Sequence, residues 1–312
     1  MNPHEVELIV VNGASRGVID PRSLSRDVAA GRRYRLRRGV YVDRPVWDAL
    51  DERGRHILLV RALQTISGRR LVFSHESALA LWGLPILDWT KETVHTSHPD
   101  RPDPGLDGVR GHRLALDGRD VIEWQGLLFT SLARTAVDVA AERTFEQGVV
   151  AADAVLARID RETHGAPAKD LLREAAARSG PRRSAAKIEA VVEFADGRAQ
   201  TPLESVSRVT MQRIGVPRPD LQHRFFDDDG FAGEVDFWFE AQRVAGESDG
   251  KIKYTDAALT KGDPAAVVYA EKRREDRIRR LDVRFARWDW ATGRSTVRLA
   301  RVLAAAGVVA RR

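Results

Sequence analysis

Glu234-Val235-Asp236-Phe237-Trp238-Phe239 and, after a short turn, Arg243-Val244-Ala245-Gly246-Glu247-Ser248-Asp249-Gly250 are two apolar runs with acids set into them. Side chains along a strand alternate between faces. Val235, Phe237 and Phe239 then share one face, and Asp236 points the other way beside Trp238. On the second run Glu247, Asp249 and Lys251 share a face, opposite Gly246, Ser248 and Gly250. Paired as an antiparallel hairpin, the two runs bring Asp236, Glu247 and Asp249 together at its middle. An acid among large apolar residues is costly to bury alone, so a partner is expected. Mg2+ or Mn2+ would suit, because hard cations take one or two carboxylates plus water and phosphate oxygens. Such an ion can generate hydroxide and neutralise charge during phosphodiester hydrolysis. Lys251 is placed to orient the water or the phosphate, and Lys253 is the alternative cation.

Outward from this hairpin the pattern reads helix, three strands, helix, strand, helix. Thr201-Pro202-Leu203-Glu204 opens the first helix with a cap, a proline at the first position and a capping-box acid. Glu204 is read two ways, as that box partner or as a further metal ligand. Leu221–Phe226 supplies the first strand. Asp263-Pro264 starts a long helix to Leu281, and Val283–Trp288 follows as a strand. A strand reached through a crossover helix pairs parallel to the one before it. Arg273, Arg274 and Arg277 lie on the long helix, either as a DNA face or as its solvated side.

This arrangement resembles the PD-(D/E)XK nuclease superfamily, and within it the very-short-patch-repair-endonuclease-like branch. The matching positions are Glu204 in the first helix, Asp236 on the second strand and Glu247-Ser248-Asp249-Gly250 on the third. Arg277, Leu281 and Val283-Arg284-Phe285 match the downstream helix end and strand. The resemblance covers about residues 200–290 and implies a restriction-endonuclease-like α/β sheet that cuts DNA. Its (D/E)-x-K element can also be laid on Asp249-Gly250-Lys251.

The N-terminal half is arginine-rich. Between Arg22 and Arg38 there are seven arginines (22, 26, 32, 33, 35, 37 and 38) against one acid, Asp27. Residues 4–43 read as a helix-turn-helix with a wing: a helix at His4–Val11, a turn at Ala14–Asp20, a helix from Pro21 ended by Gly31, and a hairpin around Arg37-Arg38-Gly39. Arg32, Arg33, Arg35, Arg37 and Arg38 would then grip phosphates without reading sequence. Arg37–Tyr41, Ser74–Leu84 (S-H-E-S-A-L-A-L-W-G-L) and Ser131–Ala140 (S-L-A-R-T-A-V-D-V-A) resemble AbiEi-type antitoxins of type IV toxin–antitoxin systems. That resemblance spans about residues 10–160 and implies promoter binding and a toxin partner. On the residues alone, His75 and Glu76 start a helix, and Arg134 with Asp138 is an i,i+4 pair.

The 312 residues are 43% hydrophobic and 31% charged, with net charge +6 and no cysteine. This composition supports packed cores and excludes disulfides, thiolate metal sites and a cysteine nucleophile. Nothing resembles a secretory leader or a membrane span, and no organic cofactor motif appears, so a cytoplasmic protein is expected. The expected fold class is α/β multidomain. It comprises a winged helix-turn-helix (1–50), a mixed α+β domain (51–160), a helical linker (161–200) and the nuclease-like sheet (201–312). The expected activity is DNA binding with Mg2+-dependent cleavage. The rival is a non-enzymatic repressor that keeps the nuclease fold only to bind.

Overall fold

A computed structural model describes residues 1–11, 21–100, 106–163, 167–180, 183–249 and 264–310. The chain is a mixed α/β protein that divides into two compact units. The first comprises Met1–Val155 and Ile159–Phe194, and the second Leu156–Arg158 and Ala195–Arg312. The boundaries expected at 50 and 160 fall inside or at the edge of the first unit. The expected turn at Ala14–Asp20, and Gly250, Lys251, Lys253 and Asp263, lie outside the described residues.

The first unit opens with β1 (Ile9–Val10), α1 (Pro21–Ala29), β2 (Arg33–Arg37), β3 (Val40–Asp43), α2 (Arg44–Ala49) and α3 (Glu52–Ile66). The expected helix at His4–Val11 is corrected here: Ile9 and Val10 form a strand paired antiparallel with Tyr41 and Val40. That pairing is non-local, so no helical period was present to be read. Gly31 ends α1 with φ +69, a conformation that a side chain would strain. Val6, Leu36, Val40, Val42, Leu50, Leu58 and Ala62 form the core beneath this three-stranded sheet.

A five-stranded sheet follows. Its elements are β4 (Val72–Phe73), α4 (His75–Trp82), β5 (Val94–His98), β6 (Val109–Arg113), β7 (Val121–Trp124), β8 (Leu127–Thr130) and α5 (Leu132–Glu142). The strand order is β6-β5-β4-β8-β7, with β5–β6 and β4–β8 parallel. The inner strands β5, β4 and β8 are mostly buried because α3 and α4 cover them: Ile57, Val60 and Leu63 pack with Phe73, Ala78, Leu81, Val94 and Phe129. α6 (Phe145–Thr163), α7 (Ala168–Arg178) and α8 (Ala185–Phe194) come next. The segment expected as a helical linker is mostly helix, and it buries Leu172, Ala175, Ile188, Val191 and Val192.

The second unit contains α9 (Pro202–Ile214), β9 (Asp220–Asp227), β10 (Gly230–Phe239), β11 (Val244–Ser248), α10 (Pro264–Arg280), β12 (Arg284–Trp288), α11 (Trp290–Gly293) and α12 (Thr296–Ala305). The sheet order is β12-β11-β10-β9; β9, β10 and β11 are antiparallel and β12 is parallel to β11. One face packs Phe237, Phe239, Val244 and Trp288 against Met211, Leu299 and Leu303. The other packs Val235, Trp238 and Ala245 against Ile278 of α10.

Candidate functional site

The strict alternation expected along β10 breaks at Asp236. Val235 packs with Trp238 and not with Phe237. Opposite this break, Gln222 of β9 adopts φ +52 between His223, paired with Val235, and Leu221, paired with Phe237. A non-glycine residue in the left-handed region interrupts the pleat and re-aims its neighbours. The half-buried Asp236 sits at this break.

On its other side, the ladder between β10 and β11 runs from Phe239↔Val244 to Phe237↔Gly246. One step on, the Ser248 backbone N–H and the Ser248 hydroxyl both donate to Asp236 Oδ2, at 2.8 and 2.9 Å. Asp236 is thereby tied to the middle residue of Glu247-Ser248-Asp249. Its Oδ1 makes no hydrogen bond or ion pair among the described residues. The same holds for the exposed Asp249 carboxylate, whose backbone N–H donates to Trp288 O at 2.9 Å.

Glu247 is differently placed. Arg274 Nη2 meets its Oε1 at 2.5 Å and Arg287 Nε its Oε2 at 2.8 Å. Glu271 chiefly, against burial and with help from Glu247, raises the pKa of Arg274. Burial opposes the same change at Arg287, where Glu247 and Glu275 raise it. Glu204 is buried and closes the capping box: its N–H donates to Thr201 Oγ1 at 3.2 Å, and Thr201 Oγ1 donates to its Oε1 at 2.9 Å. Its Oε2 accepts from the Gln200 N–H and from Gln222 Nε2, both at 2.8 Å. Glu204 thus holds the residue that breaks the strand beside Asp236. The four acids are not gathered into one ligand shell.

Among the described residues, one group brings three metal-ligating side chains within 4.8 Å of one another: His75, His95 and His112. All three are buried in the first unit. The His75 and His112 rings stack with centroids 3.8 Å apart, and His95 Nδ1 lies 2.9 Å from His112 Nε2. Burial first, then the neighbouring His75 and His112, pushes the His95 imidazole down to about 2, and burial lowers His112 as well. Burial alone would raise the Glu142 carboxyl, but the bond from His112 and the nearby His75 ring hold it well below its ordinary value. No sequence motif announced this cluster.

Compared with known proteins, the chain is 29% identical over 191 residues to two proteins described as uncharacterized, from two strains of Mycobacterium tuberculosis. The match takes in 60% of this chain and 65% of theirs. No family model and no solved structure matches the chain.

The arginines expected to face nucleic acid divide into two sets. Arg35 and Arg38 are exposed on the β2–β3 hairpin, and Arg273 is exposed on α10, each without an ion pair among the described residues. Arg32 pairs with Asp27 at 2.5 Å, and Arg33 reaches Asp27 and Asp43 at 3.5 and 3.7 Å. Arg37 turns inward and donates to the carbonyls of Asp107 and Gly108; burial lowers its pKa. Arg277 binds Asp227 and the Phe231 carbonyl, fastening α10 to the β9–β10 hairpin. Arg37 and Arg277 are therefore held by the protein itself.

Proposed function

We propose that the protein binds DNA in the cytoplasm and that its second unit is a divalent-metal-dependent endonuclease of the restriction-endonuclease-like class. One observation carries the reading: the bond between Asp236 and Ser248, which sets an aspartate at a strand break against an E-x-D element. The order α9-β9-β10-β11-α10-β12, with β12 parallel to β11, supports it further.

The residues fit a hard cation in part. Asp236 and Asp249 have oxygens free of protein partners among the described residues, whereas both oxygens of Glu247 are taken by arginines. Asp236 and Asp249 would hold Mg2+ or Mn2+, with water and a phosphate completing its oxygen shell. When bound, the ion would supply a hydroxide and neutralise phosphate charge. Glu204 acts as a scaffold for Gln222, and Lys251 is the proposed cation beside the phosphate. The β2–β3 hairpin, with Arg35 and Arg38 outward, is the proposed wing on the duplex backbone.

The test is nicking of supercoiled plasmid by the tag-free full chain with Mg2+ or Mn2+. Asp236→Asn is expected to reduce cutting to background while DNA is still retained in a gel shift. Cutting by Asp236→Asn as fast as by the wild type overturns the assignment. The arginine clamp on Glu247 favours a second reading, a DNA-binding repressor with a toxin partner and no catalysis. DNA retention with no cutting in either ion selects that reading.

A further inference from the structure

We propose that His75, His95 and His112 form a binding site for one divalent transition-metal ion of the zinc class, inside the first unit and independent of the nuclease reading. The three rings come from separate elements: the first residue of α4, the second of β5 and the fourth of β6. Sheet pairing makes them neighbours, since β4 pairs with β5 and β5 with β6.

Each ring has one nitrogen fixed by the protein and one turned toward the cluster. His112 Nδ1 faces Glu142 Oε1 at 2.8 Å. His75 Nδ1 faces Ser74 Oγ at 2.9 Å, and that hydroxyl also accepts from Ser97 at 2.7 Å. His95 Nε2 has Arg143 Nη2 at 3.3 Å and Glu76 Oε2 at 3.5 Å. The nitrogens that remain are His75 Nε2, His95 Nδ1 and His112 Nε2. Metal-binding histidines are oriented in this way, through the ring nitrogen that does not touch the ion.

Hydrogen-bond bookkeeping distinguishes this cluster from a buried network that is complete without an ion. His112 donates from Nδ1 to Glu142, so its Nε2 is an acceptor, and His95 Nδ1 can donate to it. That leaves His75 Nε2, which is fully buried and has no hydrogen-bond partner; Glu142 Oε1 stands 3.6 Å away. Glu76 Oε2 is likewise buried without a hydrogen bond. Orphaned buried polar atoms are rare and destabilising. An ion on the three inward nitrogens removes both anomalies. His75 Nε2 gains a ligand bond. His95, bound through Nδ1, must carry its proton on Nε2, where Glu76 Oε2 can accept it and the 3.3 Å contact from Arg143 Nη2 is given up. Arg143 keeps its ion pair with Glu76.

The backbone is also set for this purpose. His75 adopts φ +52, a strained conformation for a residue with a side chain. The strain is maintained at the residue whose ring nitrogen lacks a partner. Around Zn2+, three imidazoles at about 2.0–2.1 Å leave a fourth position open and stand about 3.3 Å from one another. The 2.9 Å His95–His112 contact must open a little, and the wider separations in the cluster, up to 4.8 Å, must draw in to reach that spacing. An all-imidazole set selects Zn2+ and its neighbours over Mg2+, which takes oxygen.

The experiment uses the full chain without a histidine tag. Zn2+ retained after dialysis is measured by elemental analysis, and Co2+ is titrated while visible d–d absorption is followed. One equivalent of Zn2+ and a tetrahedral Co2+ spectrum are expected. His75→Asn tolerates the left-handed backbone and removes one ligand; it should abolish the Co2+ band and the rise in Tm that Zn2+ gives the wild type. Glu142→Gln, which keeps every ligand, should weaken Zn2+ affinity about 10–100-fold. Asp236→Asn should leave Zn2+ binding unchanged. A folded wild type that binds neither ion overturns the site, as does Zn2+ affinity that neither His75→Asn nor Glu142→Gln alters. Should His75→Asn not fold, wild-type stoichiometry and Glu142→Gln decide.

Discussion

The two candidate metal sites, one in each unit, hold their ionisable side chains in opposite ways. Around the five-stranded sheet a set of titratable groups is deeply buried: the imidazoles of His75, His95 and His112, and the charges of Arg134, Asp120 and Asp138, which are paired with one another. At the edge of the four-stranded sheet Asp236 is half-buried and Asp249 exposed, and each has oxygen to spare. The difference follows from solvation. A full charge in a dry interior must be matched on the spot, whereas a carboxylate near water can wait for a cation. An imidazole site therefore suits the first environment and an oxygen site the second.

Arg134 gives the largest effect with which to break this comparison. It is fully buried, donates to Asp120 at 2.8 Å and Asp138 at 3.0 Å, and shares Asp120 with Arg178. Arg178 also reaches the more exposed Asp117 and Glu174, at 3.7 and 3.9 Å. Arg134→Met leaves two aspartates facing one arginine, and removing one partner of a buried pair costs about 3–5 kcal/mol. Urea unfolding reads this loss. A change below about 1 kcal/mol would mean that the first unit tolerates unpaired charge, and the contrast between units would collapse.

Acid separates the units next. His56 is buried: its Nδ1 meets the Lys91 carbonyl at 2.7 Å and its Nε2 the Ser77 hydroxyl at 2.9 Å. Burial, opposed by the bond to Lys91, pushes its pKa from 6.5 down to about 4. Between those values the unfolded chain binds the proton that the folded one refuses, so stability falls as pH drops. The slope from this residue is at most about 1.4 kcal/mol per pH unit. In the second unit Asp196 and Asp220 are held below 3.8: burial opposes, but Arg198 wins at Asp196, and His223 with Arg198 wins at Asp220. Their contribution is present above that value and is lost only as pH falls through it and below. Stability measured from pH 7.5 to 5 should therefore decline, and less steeply in His56→Gln. Equal slopes in the two proteins would refute the assignment.

What was legible in the sequence follows the same division between local and non-local. The T-P-L-E box, the helix ended by Gly31 and the strand following α10 are written in neighbouring residues, and they stand where they were read. β1 has two residues and owes its form to β3, so it read as helix. The break at Asp236 lies opposite the left-handed Gln222 across the strand pair, and the alternation of β10 alone could not reveal it. The fate of Arg37 and Arg277 depends on distant carbonyls and an aspartate, which left both looking like free cations. The histidines stand far apart in the chain, and only the order of the sheet brings them together. Their one trace in the sequence is that each lies in a short run with small or apolar neighbours, at Phe73-Ser74-His75, Val94-His95-Thr96 and Gly111-His112.

The smallest effect is expected at Glu204, and it sharpens the comparison within the second unit. Glu204 and Asp236 are both carboxylates on backbone and side-chain donors, one satisfied on each oxygen and the other on Oδ2 alone. Glu204→Gln keeps the capping box, since glutamine serves in that position. The new amide can still meet Gln222, whose own amide can turn over to present its oxygen. The loss should be about 1 kcal/mol, the scale of one neutral hydrogen bond, with Mg2+ affinity within about twofold of wild type. Asp236→Asn makes the same change of oxygen for nitrogen but should lower Mg2+ affinity sharply, because a hard ion bound by one or two carboxylates loses a charged ligand. Thermal melting and Mg2+ titration of the two variants, side by side, check this. Loss of Mg2+ binding in a normally melting Glu204→Gln protein would make Glu204 a ligand, and the division between scaffold and ligand carboxylates would fall.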